Sequence, residues 1–243
     1  MNGYWDKPPA ELELSDHHID IWRTTLDLPR QEIDEFMSLL SPDEAARAGR
    51  FKVERKYREY IITRGLLRRI LGHVLKQDPA SFEFEYTDHD KPHLAVNWRG
   101  KPVCFNVSHS HQLTLIAVTL DHLLGVDVEY VRRNVEFKKL AGRFFSAREA
   151  RDLDDYTETD LPLTFFSCWT RKEAFVKALG KGIAFGLDEF SVSVNPRDRE
   201  VALATHWDPG AADEWTLLNI PAAPDYIAAL AVAGHNLNVR YWE

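Results

Sequence analysis

Residues 123–129 read LLGVDVE, and the interpretation of the whole chain depends on this stretch. Its apolar residues predict a buried strand, in which Asp127 and Glu129 point to one face and the neighbouring valines to the other. Two adjacent carboxylates repel each other, and strands disfavour acidic residues. A divalent cation would offset that cost, and a set of oxygen ligands favours Mg²⁺. The alternative is a solvent-facing strand edge with two ordinary acids.

The segments on either side of this strand follow similar plans. Residues 19–28 predict a strand, and residues 41–75 predict a helical region that opens with the capping signal SPDE and is interrupted near 49–51. Further strands are predicted at 82–86, 103–107, 113–120, 190–194, 215–220, 226–232 and 239–242, and further helices at 146–153 and 163–179. The chain is therefore predicted to be α+β, with similar halves at 1–122 and 123–243.

The predicted helix at 163–179 carries a second group of chemically useful residues. It contains WTRKEAFVK at 169–177, and Gly180 follows as a typical helix stop. Glu173 and Lys177 are four residues apart in the order that favours a helical ion pair. Trp169 lies on the same face as Glu173, so this face is not simply solvated. The alternative is an ordinary surface salt bridge.

A polar group follows the predicted strand at 103–107. The segment NVSHS spans 106–110, and a Ser-His pair can indicate nucleophilic catalysis. The GxSxG context of a nucleophile elbow does not surround it. The Ser108 hydroxyl and the His109 imidazole are good donors to phosphate, which makes phosphate binding the better hypothesis. The alternative is a plain polar turn over 108–111.

A run of cations lies in the predicted helical region between residues 47 and 69. Only Glu54 and Glu59 oppose them there, although the chain as a whole has a net charge of −8. Guanidinium groups favour bidentate phosphate contacts. The alternative is a solvated helix face. The nine cations are Arg47, Arg50, Lys52, Arg55, Lys56, Arg58, Arg64, Arg68 and Arg69.

The composition of the 243 residues limits the function classes. The negative net charge argues against broad binding to nucleic acids or anionic membranes. Cys104 and Cys168 lie in apolar runs and are predicted to be reduced core thiols. Neither a signal peptide nor an apolar run of membrane-spanning length is visible, so the expected location is the cytoplasm.

These pieces occur together and in a fixed order along the chain. The basic region is followed by Lys91-Pro92, FNVSHS, GVDVE, FFSAREA and WTRKEAFVKALGKG. This order resembles the Sfp-type 4′-phosphopantetheinyl transferases, whose strongest signature is an Asp-x-Glu strand followed by Trp-x-x-Lys-Glu-(Ala/Ser)-(Phe/Tyr)-x-Lys. Asp127-Val-Glu129 and residues 169–177 match that signature in full, and the resemblance covers about Ser41 to Val194.

The resemblance implies a fold, a reaction and a set of roles. The fold would be two α+β halves related by a pseudo-twofold axis, with coenzyme A between them. The reaction would move the 4′-phosphopantetheine arm of coenzyme A to a serine of an acyl, peptidyl or aryl carrier protein, releasing 3′,5′-adenosine bisphosphate. Asp127, Glu129 and Glu173 would hold Mg²⁺, with Glu173 also the first choice to accept the serine proton. The implied contacts to coenzyme A are Arg47, Arg64, Lys91, Ser108, His109 and Lys177.

Three positions depart from the family pattern or lack a clear role. Asp90 stands where the family often has glycine, and Glu44 stands where some members carry a lysine, so a phosphate contact is expected from Arg47 and Arg64 instead. The role of Glu149 is left open between a base and a neighbour of the metal. Because both halves lie in one chain, a monomer is expected.

Two rival functions use the same residues. The first is a non-catalytic module that binds a carrier or a nucleic acid through the basic region at 47–69, and it leaves the paired acids unexplained. The second is another Mg²⁺-dependent phosphoryl-transfer enzyme or a nuclease, but the chain has neither a Walker loop nor a kinase motif.

Overall fold

The computed structural model describes residues 5–87, 91–182, 185–198 and 201–243. The structure is α+β, as predicted, and its elements form two main sheets, each covered by a long helix. The strands are β1 His18–Thr25, β2 Phe84–Tyr86, β3 Pro92–Leu94, β4 Val103–Ser110, β5 Leu113–Leu120, β6 Leu124–Tyr130, β7 Phe190–Val192, β8 Leu203–Thr205, β9 Trp215–Ile220, β10 Tyr226–Ala233 and β11 Asn238–Trp242. The helices are α1 Arg30–Leu39, α2 Pro42–Ala48, α3 Glu54–Leu75, α4 Phe137–Phe144, α5 Ala147–Asp152 and α6 Leu161–Leu179.

The first sheet has the strand order β11-β1-β5-β4. β5 pairs antiparallel with both neighbours, and every residue of LTLIAVTL in β5 is buried because the sheet is covered on both faces. On one face lies α3, whose apolar side chains share a core with Trp22 and Phe105 of the sheet. β11 pairs parallel with β1, so the last strand of the chain lies in the sheet formed by the first 120 residues. The division at residue 122 stays a prediction.

The predicted helical region at 41–75 is interrupted, as expected, between α2 and α3. The Glu44 carboxylate accepts the N–H of Ser41 at 3.0 Å, which completes the predicted capping box. Sequence patterns did not predict α1, which lies just upstream. Its Phe36 packs so closely on Gly65 of α3 that a Cβ at Gly65 would lie 2.5 Å from the Cβ of Phe36.

The second sheet has the order β6-β10-β9, with antiparallel pairing throughout. α6 packs directly on β6 and β10. The approach is closest at Gly125, where an added Cβ would lie 2.1 Å from the carbonyl oxygen of Ala174. A larger residue at 125 would therefore push α6 away from the strand. This contact holds the 173–177 turn of α6 beside the carboxylates of β6.

Several predicted boundaries change in the structure. The strand predicted at 103–107 extends to Ser110, so Ser108 and His109 lie in β4 and not in a polar turn. The turn is at His111 and Gln112, and His111 has a φ of +53°. The structure adds β3, β8 and α4, which the patterns did not predict. The predicted turn at 88–92, including Asp90, lies partly outside the described residues.

The strands and long helices predicted for the second half are otherwise confirmed within a few residues. α6 ends at Gly180, which adopts the left-handed conformation with a φ of +69°. In the described part of the chain, the helices are too short or too polar to cross a membrane.

Candidate active site

A cleft of about 420 Å³ opens where β4, β6 and α6 meet. It brings together residues that the sequence separates by more than 60 positions. The three acids Asp127, Glu129 and Glu173 share this cleft with Lys177, as predicted. The complete lining is Thr63, Val107, Ser108, His109, Asp127, Glu129, Trp169, Glu173 and Lys177.

Asp127 lies at the buried centre of the cleft, with 5% of the residue exposed. Its Oδ1 accepts hydrogen bonds from the Ser108 hydroxyl at 2.9 Å and from the Lys177 ammonium at 2.6 Å. Its Oδ2 is buried and has no hydrogen-bond partner among the described residues. A buried carboxylate oxygen without a partner is costly unless a ligand satisfies it.

Glu173 is the second buried acid of the cleft, and its Oε1 also lacks a hydrogen-bond partner among the residues described. Burial raises the pKa of Glu173 from 4.5 to about 7, and repulsion from Asp127 and Glu129 adds to the rise. The carboxyl can therefore exchange a proton near neutral pH.

Glu129 lies nearer the surface at the end of β6. Its Oε2 accepts a hydrogen bond from the Ser110 hydroxyl at 2.8 Å. Burial raises the pKa of Glu129, the hydrogen bond from Ser110 opposes this rise, and Asp127 adds to it. The repulsion indicates that the three carboxylates are close enough to affect one another's pKa. The described residues nevertheless contain no group of three or more His, Cys, Asp or Glu side chains arranged to hold a metal ion.

The helical ion pair expected between Glu173 and Lys177 is not the one that the structure shows. The Lys177 ammonium donates to Asp127 Oδ1, to the Ser108 hydroxyl at 2.9 Å and to the Val126 carbonyl at 3.3 Å. The close contact at Gly125 places Lys177 against β6, so its ammonium reaches acceptors on both β4 and β6. Lys177 therefore joins α6, β4 and β6.

The Glu173→Gln variant of the metal-free protein is expected to be more stable than wild type at pH 8. The wild-type carboxyl has a pKa of about 7 when folded and an ordinary value of 4.5 when unfolded. Between these two pKa values the unfolded chain releases a proton that the folded chain keeps. The free energy of unfolding therefore falls as the pH rises from 4.5 to about 7, and the loss is complete at pH 8. Glutamine removes this loss, which is about 2 kcal/mol after allowance for partial burial.

Urea unfolding in the presence of a chelator at pH 5 and pH 8 measures this effect. The matched control is Glu158→Gln, the same change at an exposed position. If Glu173→Gln were no more stable than the control at pH 8, the raised pKa of Glu173 in the folded protein would be wrong.

Ser108 does not have the free donor that the sequence analysis expected. Its hydroxyl donates to Asp127 and accepts from Lys177 and from the N–H of Val128 at 3.3 Å. One donor and two acceptors are all that a serine hydroxyl offers. His109 is in the same cleft near Glu59 and Lys56 of α3, and desolvation lowers its pKa. Phosphate binding by His109 therefore stays a prediction, while the Ser108 hydroxyl is occupied within the protein.

The other three residues expected to bind coenzyme A are not among those that line the cleft. Lys91 donates to the carbonyl oxygens of Lys177 at 2.7 Å and Leu124 at 3.3 Å, and burial lowers its pKa. Arg64 is buried, with its Nε 3.3 Å from Glu44 and a hydrogen bond to the Tyr86 hydroxyl at 3.1 Å. The exposed Arg47 also lies over the Tyr86 ring, 5.6 Å from its centroid.

The basic region is less open than its sequence suggests. Glu59 receives hydrogen bonds from both Arg55 and Lys56, and Glu44 forms ion pairs with Arg64 and the fully buried Arg68. Four of the nine cations between residues 47 and 69 are thus held by the protein itself. This arrangement gives no support to a module that binds nucleic acid through this helix.

Glu149 is not a base or a metal neighbour in this structure. Its carboxylate is 0% exposed and accepts the Lys172 ammonium at 2.6 and 2.7 Å. It also accepts the N–H groups of Ser146 at 2.8 Å and Val192 at 2.7 Å. Lys172 and Glu173 are adjacent in sequence but point to different sides of α6, one into this buried ion pair and one into the cleft.

One contact of the cleft is not among those predicted from the sequence. The Ser110 hydroxyl donates to the Glu129 carboxylate. The alternation Asn106-x-Ser108-x-Ser110 is typical of one strand face and indicates this contact. The prediction of a turn over 108–111 hides that alternation.

Two family models match the chain, and together they cover most of it. Residues 22–121 match the model of the 4′-phosphopantetheinyl transferase N-terminal region. Residues 123–231 match the model of the 4′-phosphopantetheinyl transferase superfamily. The two matches meet beside β6, the strand that carries Asp127 and Glu129.

Whole-chain comparisons give the same family. The chain is 35% identical over 238 residues to the 4′-phosphopantetheinyl transferase HetI of Nostoc sp., covering 98% of this chain and 97% of the relative. It is 32% identical over 205 residues to a putative 4′-phosphopantetheinyl transferase of Synechocystis sp., covering 84% and 80%. It is 28% identical over 179 residues to the 4′-phosphopantetheinyl transferase Sfp of Bacillus subtilis, covering 72% and 75%. The chain therefore belongs to the 4′-phosphopantetheinyl transferase superfamily.

Proposed function

We propose that this protein transfers the 4′-phosphopantetheine arm of coenzyme A to a serine of a carrier protein, and that the cleft between β4, β6 and α6 holds the reacting diphosphate. Two buried carboxylate oxygens, Asp127 Oδ2 and Glu173 Oε1, support this location because they lack hydrogen-bond partners among the described residues. Together with Glu129 they form an acidic wall opposite the ammonium of Lys177. A diphosphate is itself negatively charged and is repelled by these carboxylates, so it can bind beside them only together with a cation.

Mg²⁺ fits this donor set. Asp127, Glu129 and Glu173 offer carboxylate oxygens, and hard divalent cations prefer such ligands. When bound, Mg²⁺ neutralises charge on the diphosphate and makes its phosphorus more electrophilic. These three residues would hold it, and the raised pKa values of Glu129 and Glu173 give the physical reason why a cation is favourable there.

The protein's own groups supply positioning and proton transfer. Lys177 is a fixed positive charge beside Asp127 and would contact the diphosphate oxygens. Glu173 would accept the proton of the attacking carrier serine, directly or through a water molecule, in competition with its role in holding the cation. The leaving group would be 3′,5′-adenosine bisphosphate. Because the nucleophile belongs to the carrier, the cleft requires no activated serine or cysteine of its own.

The nucleotide end of coenzyme A would extend from the cleft toward α2 and α3. His109 lies on that side of the cleft, and Arg47 adds an exposed guanidinium there. Arg64 would act through its buried contacts with Glu44 and Tyr86 rather than as a free cation. Lys91 and Ser108 would support the cleft walls through the hydrogen bonds described above.

Incubation with coenzyme A, Mg²⁺ and a panel of apo carriers tests the function. We expect mass spectrometry to show a gain of one phosphopantetheine arm on the carrier serine, and no gain when a chelator is added. Including a fatty-acid acyl carrier shows whether the activity is that of a holo-[acyl-carrier-protein] synthase. If none of the acyl and peptidyl carriers gained the arm, the proposed function would be wrong.

We further propose that one chain is the active unit, because all three walls of the cleft come from the same chain. Sedimentation of the active protein should then give the mass of a monomer. Nuclease or ATP-dependent activity in place of carrier modification would favour the rival phosphoryl-transfer function.

A further inference from the structure

β4 and β6 lie side by side at the junction of the two sheets, joined by side chains. Among the described strands, β6 pairs through its backbone with β10 alone, on its other edge, which leaves a row of N–H groups facing β4. Asn106 Oδ1 accepts the N–H of Val126 at 2.9 Å. The hydroxyls of Ser108 and Ser110 accept the next N–H groups of the same row. These three side chains form what we call the seam.

Two of the three seam residues have a second function that Asn106 lacks. The Ser110 hydroxyl accepts the N–H of Tyr130 at 3.1 Å and donates to Glu129 Oε2 at 2.8 Å. Ser108 repeats this arrangement two residues earlier, with the N–H of Val128 and Asp127 Oδ1. In both cases the backbone N–H fixes the oxygen, so the hydroxyl proton is directed at the carboxylate of the preceding residue on β6.

The effect of this contact is largest at Glu129. A glutamate has three side-chain torsions, and Glu129 is only partly buried, so its carboxylate would otherwise sample several rotamers. The bond from Ser110 holds one oxygen, Oε2, and leaves Oε1 without a hydrogen bond from the described residues. Asp127 is restrained by Lys177 as well as by Ser108, whereas in the described structure the only hydrogen bond to the Glu129 carboxylate comes from Ser110.

We propose that Ser110 is a positioning residue that orients Glu129 for the divalent cation, so that the cation affinity depends on a side chain from the opposite sheet. This inference rests on the proposed function, since it concerns the same cleft. Groups that hydrogen-bond to metal ligands commonly change metal affinity by about 10- to 100-fold when they are removed. The seam thereby links the docking of the two sheets to the geometry of the site.

The test compares Ser110→Val with Ser110→Thr, which have the same shape and differ in the hydroxyl. Binding of Mn²⁺, a spin probe for a site of oxygen ligands, is measured by the loss of the free-ion electron paramagnetic resonance signal, without coenzyme A or carrier. We expect Ser110→Val to need about tenfold more Mn²⁺ for half-saturation. Ser110→Thr should bind like wild type.

Asn106→Ala is the matched control for the seam itself. It removes a bond of the same kind to the backbone of β6 but leaves the contact with Glu129 in place, so its Mn²⁺ titration should follow wild type. In the transfer assay Ser110→Val should raise the Mg²⁺ concentration for half-maximal rate by the same factor, with a smaller change in the rate at saturating Mg²⁺.

Three outcomes would overturn the inference. They are equal Mn²⁺ affinity for the valine and threonine variants, equal weakening by Asn106→Ala, and a wild-type protein that binds no Mn²⁺. Failure of the proposed function is distinguishable, because it would appear as an absence of carrier modification by the wild type while the Mn²⁺ titrations remain interpretable. If Ser110→Val does not fold, Ser110→Ala replaces it, and a wild-type titration for that variant also counts against the proposal.

Discussion

The Asp127→Asn variant is expected to lose carrier modification by about three orders of magnitude while keeping its fold. Asparagine has nearly the same shape, and its Oδ1 can still accept the hydrogen bonds from Ser108 and Lys177. The negative charge, however, is lost, and an amide group takes the place of the unpartnered Oδ2. The acidic wall then has one carboxylate fewer for the cation, and its most buried oxygen has become a donor.

Stability should change little in this variant, because two effects oppose each other. Loss of the Asp127 charge relieves its repulsion of Glu173 and Glu129, but it also breaks the ion pair with Lys177, so the metal-free protein should unfold within a few degrees of wild type. Initial rates of arm transfer, measured by mass spectrometry at saturating coenzyme A and Mg²⁺, report the activity. Thermal unfolding with a chelator reports the stability.

A matched control separates loss of a site residue from loss of an ion pair. Asp154 forms an exposed ion pair with Lys138 at 2.8 Å, and Asp154→Asn makes the same chemical change there. Exposed ion pairs contribute little, so this variant should transfer the arm at the wild-type rate. Transfer by Asp127→Asn within tenfold of wild type would contradict the role given to Asp127.

The acidic part of the site could be predicted because local periodicity determines it. A period of two places Asp127 and Glu129 on one strand face, and helical spacing places Glu173 with Trp169 on one side of α6. Periodicity within each segment does not predict that β6 and α6 lie against each other. It follows from Gly125, which allows the backbones of β6 and α6 to touch, a contact that a single glycine in a strand pattern indicates only weakly.

The errors share a physical cause, which is that tertiary partners outcompete local ones. Ser108 and His109 have the polarity of a turn, yet they lie in a strand because β4 continues its pairing with β5 through Ser110. Lys177 has Glu173 one turn away on its own helix but pairs with Asp127 across the cleft. Neither partner can be identified from spacing along one segment.

The basic region shows the same effect. Nine cations within 23 residues favour an open binding face, but Glu44 lies close in space and forms ion pairs with Arg64 and Arg68. The sequence identifies Glu44 only as a helix-capping residue and as a departure from the family pattern. A charge count along the chain could not show that this one carboxylate is surrounded by the cations of the next helix.

Lys172→Met is expected to lower the free energy of unfolding by about 3–5 kcal/mol, the largest effect on stability among these variants. Both Lys172 and Glu149 are 0% exposed. Methionine fills a similar volume, but it leaves the Glu149 carboxylate charged and buried without its cation. It also leaves the carbonyl of Phe190, which accepts the Lys172 ammonium at 2.6 Å, without this donor.

Adding Glu149→Gln to Lys172→Met should recover part of that loss. Glutamine removes the uncompensated charge, and its carbonyl oxygen can still accept one of the two N–H groups, from Ser146 or Val192, that the carboxylate binds. Urea unfolding of wild type, both single variants and the double variant gives the interaction free energy of the pair. Additive effects of the two changes would mean that the buried charges do not depend on each other.

Single variants of Lys172 and Lys177 separate the structural role of the first from the catalytic role of the second. Lys172 and Lys177 both lie on α6, but the contacts of Lys172 are all on the side away from the cleft. The Lys172→Met protein, kept below its unfolding temperature, should therefore still bind Mn²⁺ with wild-type affinity, whereas Lys177→Met should remain folded and transfer the arm slowly. A Lys172→Met protein that is as stable as wild type but inactive would contradict the structural role of Lys172 and would reopen the choice of base or metal neighbour for Glu149.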